Sequence, residues 1–226
     1  MSGAAAHPMD EVCDPAELPT PFCLALSGQL EIEEPPTLGE TLTEYLGLGY
    51  VHILPAGMDH ILFVLALFLA AQTWGVLLWQ VTTFTVAHSV TLGLAAVGLT
   101  SPGGTLVEVL IAASIAFVAV ENLWLRGRPV PSWRYLVVFA FGLLHGLGFA
   151  GVLLELGMPD EQLVAALVAF NVGVELGQLT VVAAALLLGW VLLRKQLGQE
   201  RYVRWFTLPS SVVIGLIGAY WAVTRL

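Results

Sequence analysis

Long apolar segments dominate this sequence and limit the folds that are open to it. Six of them follow one another at about 53–71, 75–98, 104–125, 135–156, 163–193 and 205–223. A helix of about 20 apolar residues crosses the roughly 30 Å hydrocarbon core of a bilayer. The chain is 58% hydrophobic and 11% charged, with a mean hydropathy of +0.85, far outside the range of soluble domains. The sequence therefore predicts an all-α bundle of about six transmembrane helices in a lipid bilayer.

The first 49 residues differ in composition from the rest. They contain nine acidic residues and neither lysine nor arginine, so the net charge of -9 is concentrated there. Prolines between Pro8 and Pro36, together with sparse apolar residues, predict an extended or loosely folded segment. The chain is thus divided into an acidic, proline-rich tail at 1–49 and a transmembrane helical domain at 50–226.

Two cysteines, Cys13 and Cys23, lie in this tail. In an oxidising compartment such a pair most simply closes a small disulfide loop, whereas a cysteine–metal role has only His7 nearby. Ala4-Ala5-Ala6 before His7 resembles the small-residue end of a signal-peptide cleavage site, although no basic start or apolar run precedes it. We therefore expect an extracytoplasmic tail with a Cys13–Cys23 disulfide.

Basic residues predict the orientation. Seven of the eight lie in the connections after the third and fifth segments, namely Arg126, Arg128, Arg134, Arg194, Lys195, Arg201 and Arg204. With six spans these connections share one side, which the positive-inside rule makes cytoplasmic. The sequence therefore predicts a multi-pass protein of the bacterial inner membrane with a periplasmic tail and both termini outside. Nucleic acid is not an expected partner, because no basic patch is present.

Polar side chains inside the apolar segments are the candidates for function, because buried carboxylates and imidazoles are costly in hydrocarbon unless they find partners. The candidate metal ligands are His52, Asp59, His60, His88, His145 and Glu175. The candidates for orienting the ligands or lining a path are Asn171, Gln178, Ser89 and Glu121. Asn171, Glu175 and Gln178 share one helix face, and glycines beside His145 and Glu175 permit close helix approach. The metal ligands are expected to converge in one cavity, with His52 above the others.

Structural roles are the alternatives. A single intramembrane histidine can hydrogen-bond a carbonyl, Ser89 can bond its own helix, and Glu121 can be either a snorkelling carboxylate or the inner station of a path. Four histidines with Asp59 and Glu175 are harder to explain in this way. Two carboxylates in a low-dielectric bundle repel each other, and a divalent cation removes the conflict. This ligand set suits a borderline ion such as Ni, Zn or Cu(II).

Four motifs resemble those of the HupE/UreJ family. They are His52 with Asp59-His60, Phe84-Thr-x-x-His-Ser-x-Thr-Leu92, His145-Gly-x-Gly-Phe-Ala150 and Phe170-Asn-x-Gly-x-Glu-x-Gly-Gln178. The resemblance covers about 50–190. It implies a small polytopic bacterial protein, associated with hydrogenase or urease systems and regarded as a nickel permease.

Two departures make the chain resemble a second branch of that family. Six residues separate His52 from Asp59, where the best-studied branch has five. A single His145 followed by Gly-x-Gly-Phe stands where that branch also carries a second histidine, in a His-Gly-x-Glu element. The resemblance therefore implies a metal-handling site more strongly than it implies nickel.

Two classes of function fit these observations. The first is a permease for a divalent metal, nickel or a similar ion, with capture by the tail and His52 and release past Glu121. The second is a membrane-embedded zinc-dependent hydrolase, in which three histidines hold zinc and a carboxylate acts as general base. No Gly-x-Ser-x-Gly motif occurs, which favours transport over catalysis. A third class, a structural subunit of a homo-oligomer or larger membrane complex, predicts no metal.

Overall fold

The computed structural model describes residues 36–156, 160–189 and 197–226, and every regular element in these ranges is helical. The α-helices are α1 (Leu38–Ile53), α2 (Met58–Ala70), α3 (Trp74–Ala96), α4 (Thr105–Leu125), α5 (Trp133–Leu156), α6 (Leu163–Ala185), α7 (Gln199–Tyr202) and α8 (Leu208–Thr224). A 3₁₀ turn at Asp160–Gln162 precedes α6, and a π-helical stretch at Val203–Thr207 joins α7 to α8. The predicted all-α fold is confirmed.

Helix α2 lies in the centre of the bundle. Its sequence is apolar on all sides apart from the first turn, and residues 62–70 are buried except for Leu65. A helix of this kind belongs in an interior, and α2 contacts α1, α3, α4, α6 and α8. Its 13 residues span only about 20 Å at 1.5 Å per residue. Helix α2 alone is therefore too short to cross a bilayer.

Three closely packed helix pairs contact α2: α1 with α6, α3 with α5, and α4 with α8. Glycine permits the close approach in each pair. A Cβ on Gly49 would lie 1.9 Å from the backbone oxygen of Phe170, and one on Gly146 would lie 2.6 Å from that of His88. In the third pair a Cβ on Gly218 would lie 2.8 Å from a backbone nitrogen of α4. Small residues at helix contacts are typical of membrane bundles.

Helix α1 corrects the expectation of an extended tail through residue 49. Residues 38–49 are helical because no proline lies between Thr37 and Leu54. The four buried residues of α1 recur at four-residue spacing, at Thr41, Tyr45, Gly49 and Ile53, which gives the helix one continuous face to pack on α6. The acidic Glu40 and Glu44 lie on its exposed side. The compact helical unit therefore begins at Leu38.

The first predicted segment, 53–71, corresponds to α2, which is the second half of a helix pair interrupted between α1 and α2. Helix α1 ends at Ile53, and α2 begins at Met58 at an angle of 69° to it. The intervening Leu54-Pro55-Ala56-Gly57 turn starts α2, as its sequence indicates. The backbone N–H and C=O groups that such a break leaves without helical partners are tolerated inside a membrane where they are buried in protein or line a cavity.

Four helices are long and apolar enough to cross a membrane, and α1 with α2 adds a fifth if the bent pair is one span. Helix α3 has the length, with 23 residues, but its polar side chains lower its hydropathy. These are Gln80, Thr82, Thr83, Thr85, His88, Ser89 and Thr91, and all are buried or half-buried. Counting α3 gives six crossing elements in the described part of the chain.

The two basic connections meet at one end of the bundle. A Cβ on Gly127 would lie 2.8 Å from a methyl group of Val203, and the side-chain amide of Gln72 donates to the Gly127 carbonyl. At the opposite ends of α4 and α8, Arg225 donates to the backbone oxygen of Glu108. The shared end agrees with the predicted arrangement of the spans, while the side of the membrane that it faces stays a prediction.

Several sequence-based expectations fall outside the described residues. They concern His7, the Cys13–Cys23 disulfide, Arg194 and Lys195.

Candidate metal centre

Four histidines from four helices meet beside the turn between α1 and α2. His60, in the first turn of α2, has its ring centroid 4.7 Å from that of His52, 5.7 Å from that of His88 and 4.9 Å from that of His145. Potential ligand atoms of His52, His60 and His88 all lie within 4.8 Å of one another. His60 is thus the centre of the cluster.

The interruption between α1 and α2 brings His52 and His60 together. His52 lies in the last turn of α1, and His60 in the first turn of α2. A Cβ on Gly57 would lie 2.2 Å from the His52 carbonyl oxygen, so only glycine fits at this position of the turn. The close approach of α3 to α5 at Gly146 places His88 and His145 on the facing side of the cluster.

Hydrogen bonds fix the tautomers of two of these histidines. The Nδ1 atom of His145 lies 2.8 Å from the carbonyl oxygen of Phe141 and donates to it. Asn171 donates its amide to the Leu167 carbonyl, which leaves its Oδ1 facing Nδ1 of His88 at 3.5 Å. Because a carbonyl oxygen only accepts, Nδ1 carries the proton in both imidazoles and Nε2 has the lone pair. This tautomer leaves Nε2 of each ring free to bind a metal ion.

The Nε2 atoms of all four histidines are buried, and none has a hydrogen-bond partner among the described residues. His60, His88 and His145 are almost completely buried, and His52 is half-buried. An unsatisfied buried polar group costs about 1–3 kcal/mol. The cluster is therefore an expensive arrangement for a purely structural role.

A cavity of about 440 Å³ adjoins this cluster. His52, His60 and His145 contribute to its wall, and its charged lining residues are Asp59, Glu108 and Arg225. Both carboxylate oxygens of Asp59 lie 3.1 Å from Nη2 of Arg225. The structure thus gathers the four histidines and Asp59 in one region, with the charged groups toward the Arg225 end of the bundle.

Aromatic side chains pack against the same histidines. Phe63 and Phe84 are fully buried, with ring centroids 5.1 Å apart. The ring of His145 lies 4.9 Å from Phe84 and 5.3 Å from Phe63. One turn beyond Phe63 along α2, the carbonyl of Ala66 accepts a hydrogen bond from Asn122. An aromatic layer therefore separates the histidines from the polar groups further along α2.

Glu175 lies outside the histidine cluster, against α3. Its carboxylate accepts hydrogen bonds from Thr82 and Thr85 of α3, and the Thr85 hydroxyl oxygen also lies 2.9 Å from Oε1 of Gln178. Ser89 donates to the backbone of its own helix, at the Thr85 carbonyl. A second cavity of about 420 Å³ is lined by Glu175, Thr82, Thr85 and Ser89, and its rim includes exposed valines of α3 and α6. The structure therefore places Glu175 outside the histidine cavity, while Asn171 faces His88 and also lines the second cavity.

Glu121 forms a buried ion pair with Arg134, at 3.1 Å and with 4% and 0% of the two side chains exposed. Arg134 also donates to Asn122, which donates in turn to Ala66 and Ser211. The sequence predicts Arg134 to lie in a cytoplasmic connection, yet it is buried in the first turn of α5 because Glu121 supplies the opposite charge. The carboxylate of Glu121 is thus occupied by a guanidinium, at a distance from the histidine cavity.

Sequence reasoning missed Arg225 and Glu108 as neighbours of Asp59. One signal was available for Arg225, since it is the single basic residue outside the two basic connections. Its contact with Asp59 joins residues 166 positions apart, and no local pattern indicates such a pair.

The fold and the site define an integral membrane protein with a candidate metal centre at an interrupted helix. The chain belongs to the HupE/UreJ protein family, whose sequence model matches residues 28–225. This confirms the resemblance of the four motifs, and the family is associated with nickel and cobalt transport. Neither a curated protein nor a solved structure was found to match the chain.

Proposed function

We propose that this protein carries a divalent transition-metal ion, nickel or a similar ion, across the bacterial inner membrane through the histidine cluster. The observation that carries the proposal is the meeting of four buried imidazoles from four helices, three of them with ligand atoms within 4.8 Å of one another. Metal–nitrogen bonds of about 2.1 Å bring tetrahedrally placed nitrogens to about 3.4 Å of one another. Inward movements of about an ångström would therefore complete a coordination shell.

The unpaired Nε2 atoms support a cation as the missing partner. A metal ion satisfies several lone pairs at once, whereas any hydrogen-bond donor satisfies one at a time. His52, His60, His88 and His145 supply neutral ligands, and Asp59 supplies a negative charge beside them. A set of imidazoles with one carboxylate suits nickel, zinc or copper better than magnesium or calcium.

Transport is favoured over zinc-dependent hydrolysis. A hydrolase needs a carboxylate free to act as general base beside the metal, yet Asp59 is bonded to Arg225, and Glu175 lies at the second cavity. The histidine cavity has the charged groups of Asp59, Glu108 and Arg225 in its wall, which suits a hydrated ion. The family's association with metal transport points the same way.

The interrupted helix gives a route for the ion. Transporters commonly form their ion sites where a membrane helix is broken, and the turn between α1 and α2 is such a break. We infer that the ion enters from the periplasm at the Asp59 side. Release to the cytoplasm requires Phe63 and Phe84 to move apart, because their rings pack under the cluster.

The experiment uses the full chain in lipid nanodiscs and in liposomes. Equilibrium dialysis with Ni²⁺, Co²⁺ and Zn²⁺ measures affinity, and uptake of the same ions into the liposomes measures transport. We expect His60→Ala to weaken binding at least 100-fold and to abolish uptake, because His60 contacts the other three imidazoles. Gln80→Ala is the control, since it also truncates a fully buried polar side chain, two turns from His88 along α3.

Two results would contradict the proposal. One is unchanged affinity in folded His60→Ala protein. The other is a wild-type protein that retains a zinc ion through dialysis and moves no metal into liposomes, which would favour the hydrolase.

A further inference from the structure

We propose that Arg225 is a displaceable latch over the histidine cavity, whose guanidinium occupies the Asp59 carboxylate until a divalent ion takes its place. The inference rests on the proposed metal transport and assigns a role at the same site to a residue near the end of the chain.

The ion pair lies at the wall of the cavity. Both oxygens of Asp59 accept from the same nitrogen, Nη2 of Arg225, at 3.1 Å, while Nη1 donates to the Glu108 carbonyl oxygen at 3.4 Å. The guanidinium carbon lies 5.3 Å from the ring centroid of Trp221. These contacts hold the arginine over a carboxylate whose chain neighbour, His60, is the centre of the histidine cluster.

The geometry allows the pair to open. One nitrogen serves both carboxylate oxygens, so the pair lacks the two parallel bonds of the strongest arginine–carboxylate contacts. The side chains are 27% and 26% exposed, and pairs in contact with water are held weakly. The Glu121–Arg134 pair differs on this point, because its side chains are 4% and 0% exposed. Of these two pairs, the one at Asp59 is the one that an arriving ion can reach.

A divalent ion and the guanidinium are alternatives at Asp59. The ion brings twice the charge and gains imidazole ligands that Arg225 cannot use, since a guanidinium only donates. Once the ion is bound, its charge repels Arg225 from the carboxylate. Binding therefore includes the loss of an existing ion pair, which weakens the apparent affinity. Weakened binding suits transport, because an ion that is held too tightly does not leave.

The first test measures the Ni²⁺ dissociation constant of the full chain in nanodiscs. We expect Arg225→Gln to bind Ni²⁺ about 5- to 50-fold more tightly than the wild type, because no ion pair has to break. Uptake into liposomes should show a lower KM and a lower maximal rate, since release becomes slower. When Asp59→Asn is already present, adding Arg225→Gln should change the Ni²⁺ dissociation constant less than twofold. The carboxylate for which Arg225 and the ion compete is then absent.

The matched control is Arg204→Gln. Arg204 is exposed, lies toward the opposite end of α7–α8 and has its guanidinium 5.7 Å from the ring of Trp205. It thus loses the same charge and a similar tryptophan contact away from the cavity. We expect its Ni²⁺ affinity to stay within twofold of the wild type.

A second measurement uses the wild-type chain. Phenylglyoxal modifies accessible arginines, and mass spectrometry reports the modified positions. We expect Ni²⁺ to raise modification of Arg225 several-fold and to leave Arg204 unchanged. No change at Arg225 under saturating Ni²⁺ would overturn the latch.

Different results would contradict the proposal for Arg225 and the proposal for the metal site. If the wild type binds Ni²⁺ and His60→Ala loses it, but Arg225→Gln binds no more tightly, the latch alone is wrong. If the wild type binds neither Ni²⁺ nor the other two ions, both proposals are wrong.

Discussion

At the scale of single residues, the histidines differ from the carboxylates in what they contact. His88 and His145 each use Nδ1 for a hydrogen bond within the protein, which leaves Nε2 to the cluster. The carboxylates of Asp59 and Glu121 are each paired with an arginine. Glu175 is instead bonded by two threonine hydroxyls of α3. The unpaired ligands in the described part of the site are therefore nitrogens.

This difference predicts that Glu175→Gln keeps metal binding. The amide oxygen can accept from one of the two threonine hydroxyls and the amide nitrogen can donate to the oxygen of the other, and the residue lies at the second cavity. We expect the Ni²⁺ dissociation constant to change less than threefold, against at least 100-fold for His60→Ala. Equilibrium dialysis on both variants checks it. Loss of binding in folded Glu175→Gln protein would make Glu175 a ligand, contrary to its position in the structure.

At the scale of helices, close packing between pairs positions the site. Gly142 and Gly146 of α5 face the backbone of α3, and Gly173 and Gly177 of α6 face α1. These contacts set the rotation and the depth of the helices that carry His52, His88 and His145. The rigid pairs therefore decide which polar side chains meet, and the turn between α1 and α2 supplies His60.

Gly146→Ala tests the role of the α3–α5 contact. The new Cβ would lie 2.0 Å from the hydroxyl of Thr91 and 2.6 Å from the carbonyl oxygen of His88. We expect α3 to shift, the unfolding free energy to fall by about 1–3 kcal/mol as in other overpacked interiors, and Ni²⁺ affinity to drop at least tenfold as His88 moves. Thermal unfolding in detergent and dialysis measure the two effects.

Gly93→Ala is the control, because a Cβ at that position of α3 meets nothing within 4 Å. Replacing glycine by alanine inside a helix is favourable by about 0.5–1 kcal/mol, so this variant should be as stable as the wild type or more so. Equal unfolding free energies and equal Ni²⁺ affinities of Gly146→Ala and Gly93→Ala would show that the contact at Gly146 is not tight.

At the scale of the whole molecule, the ends of the bundle differ in charge. The connection at 126–134 and the residues at 198–204 meet at one end, whereas Asp59, Glu108 and Arg225 lie at the other. The positive-inside rule assigns the first end to the cytoplasm. With this assignment, we expect the histidine cavity to face the periplasm.

Two matched serines test this orientation. Ser132 and Ser101 are both exposed, and they lie in the connections at opposite ends of α4. In a chain with Cys13 and Cys23 replaced by serine, we expect Ser101→Cys in intact spheroplasts to react with a membrane-impermeant maleimide. Ser132→Cys should react only after the membrane is permeabilised. The reverse pattern would invert the proposed direction of transport.

The class of fold and the residues available for chemistry could be predicted from the amino-acid sequence alone. Segment length and apolar composition are enough to predict membrane helices, because the bilayer imposes one length and one polarity on every span. The four histidines stand out for the same reason, since three are polar residues in apolar segments and His52 directly precedes one. The turn at 54–57 could also be predicted, from Pro55 and Gly57.

Which of those residues contact one another depends on how the helices pack in three dimensions. Asn171, Glu175 and Gln178 share a helix face, yet Asn171 reaches His88 while the other two contact threonines of α3. Arg134 was predicted to lie in a cytoplasmic connection and is buried against Glu121 in the first turn of α5. Whether two side chains touch depends on how far each helix is rotated about its axis and shifted along it. Backbone contacts at glycines scattered over the whole chain set both quantities, so no local pattern contains them.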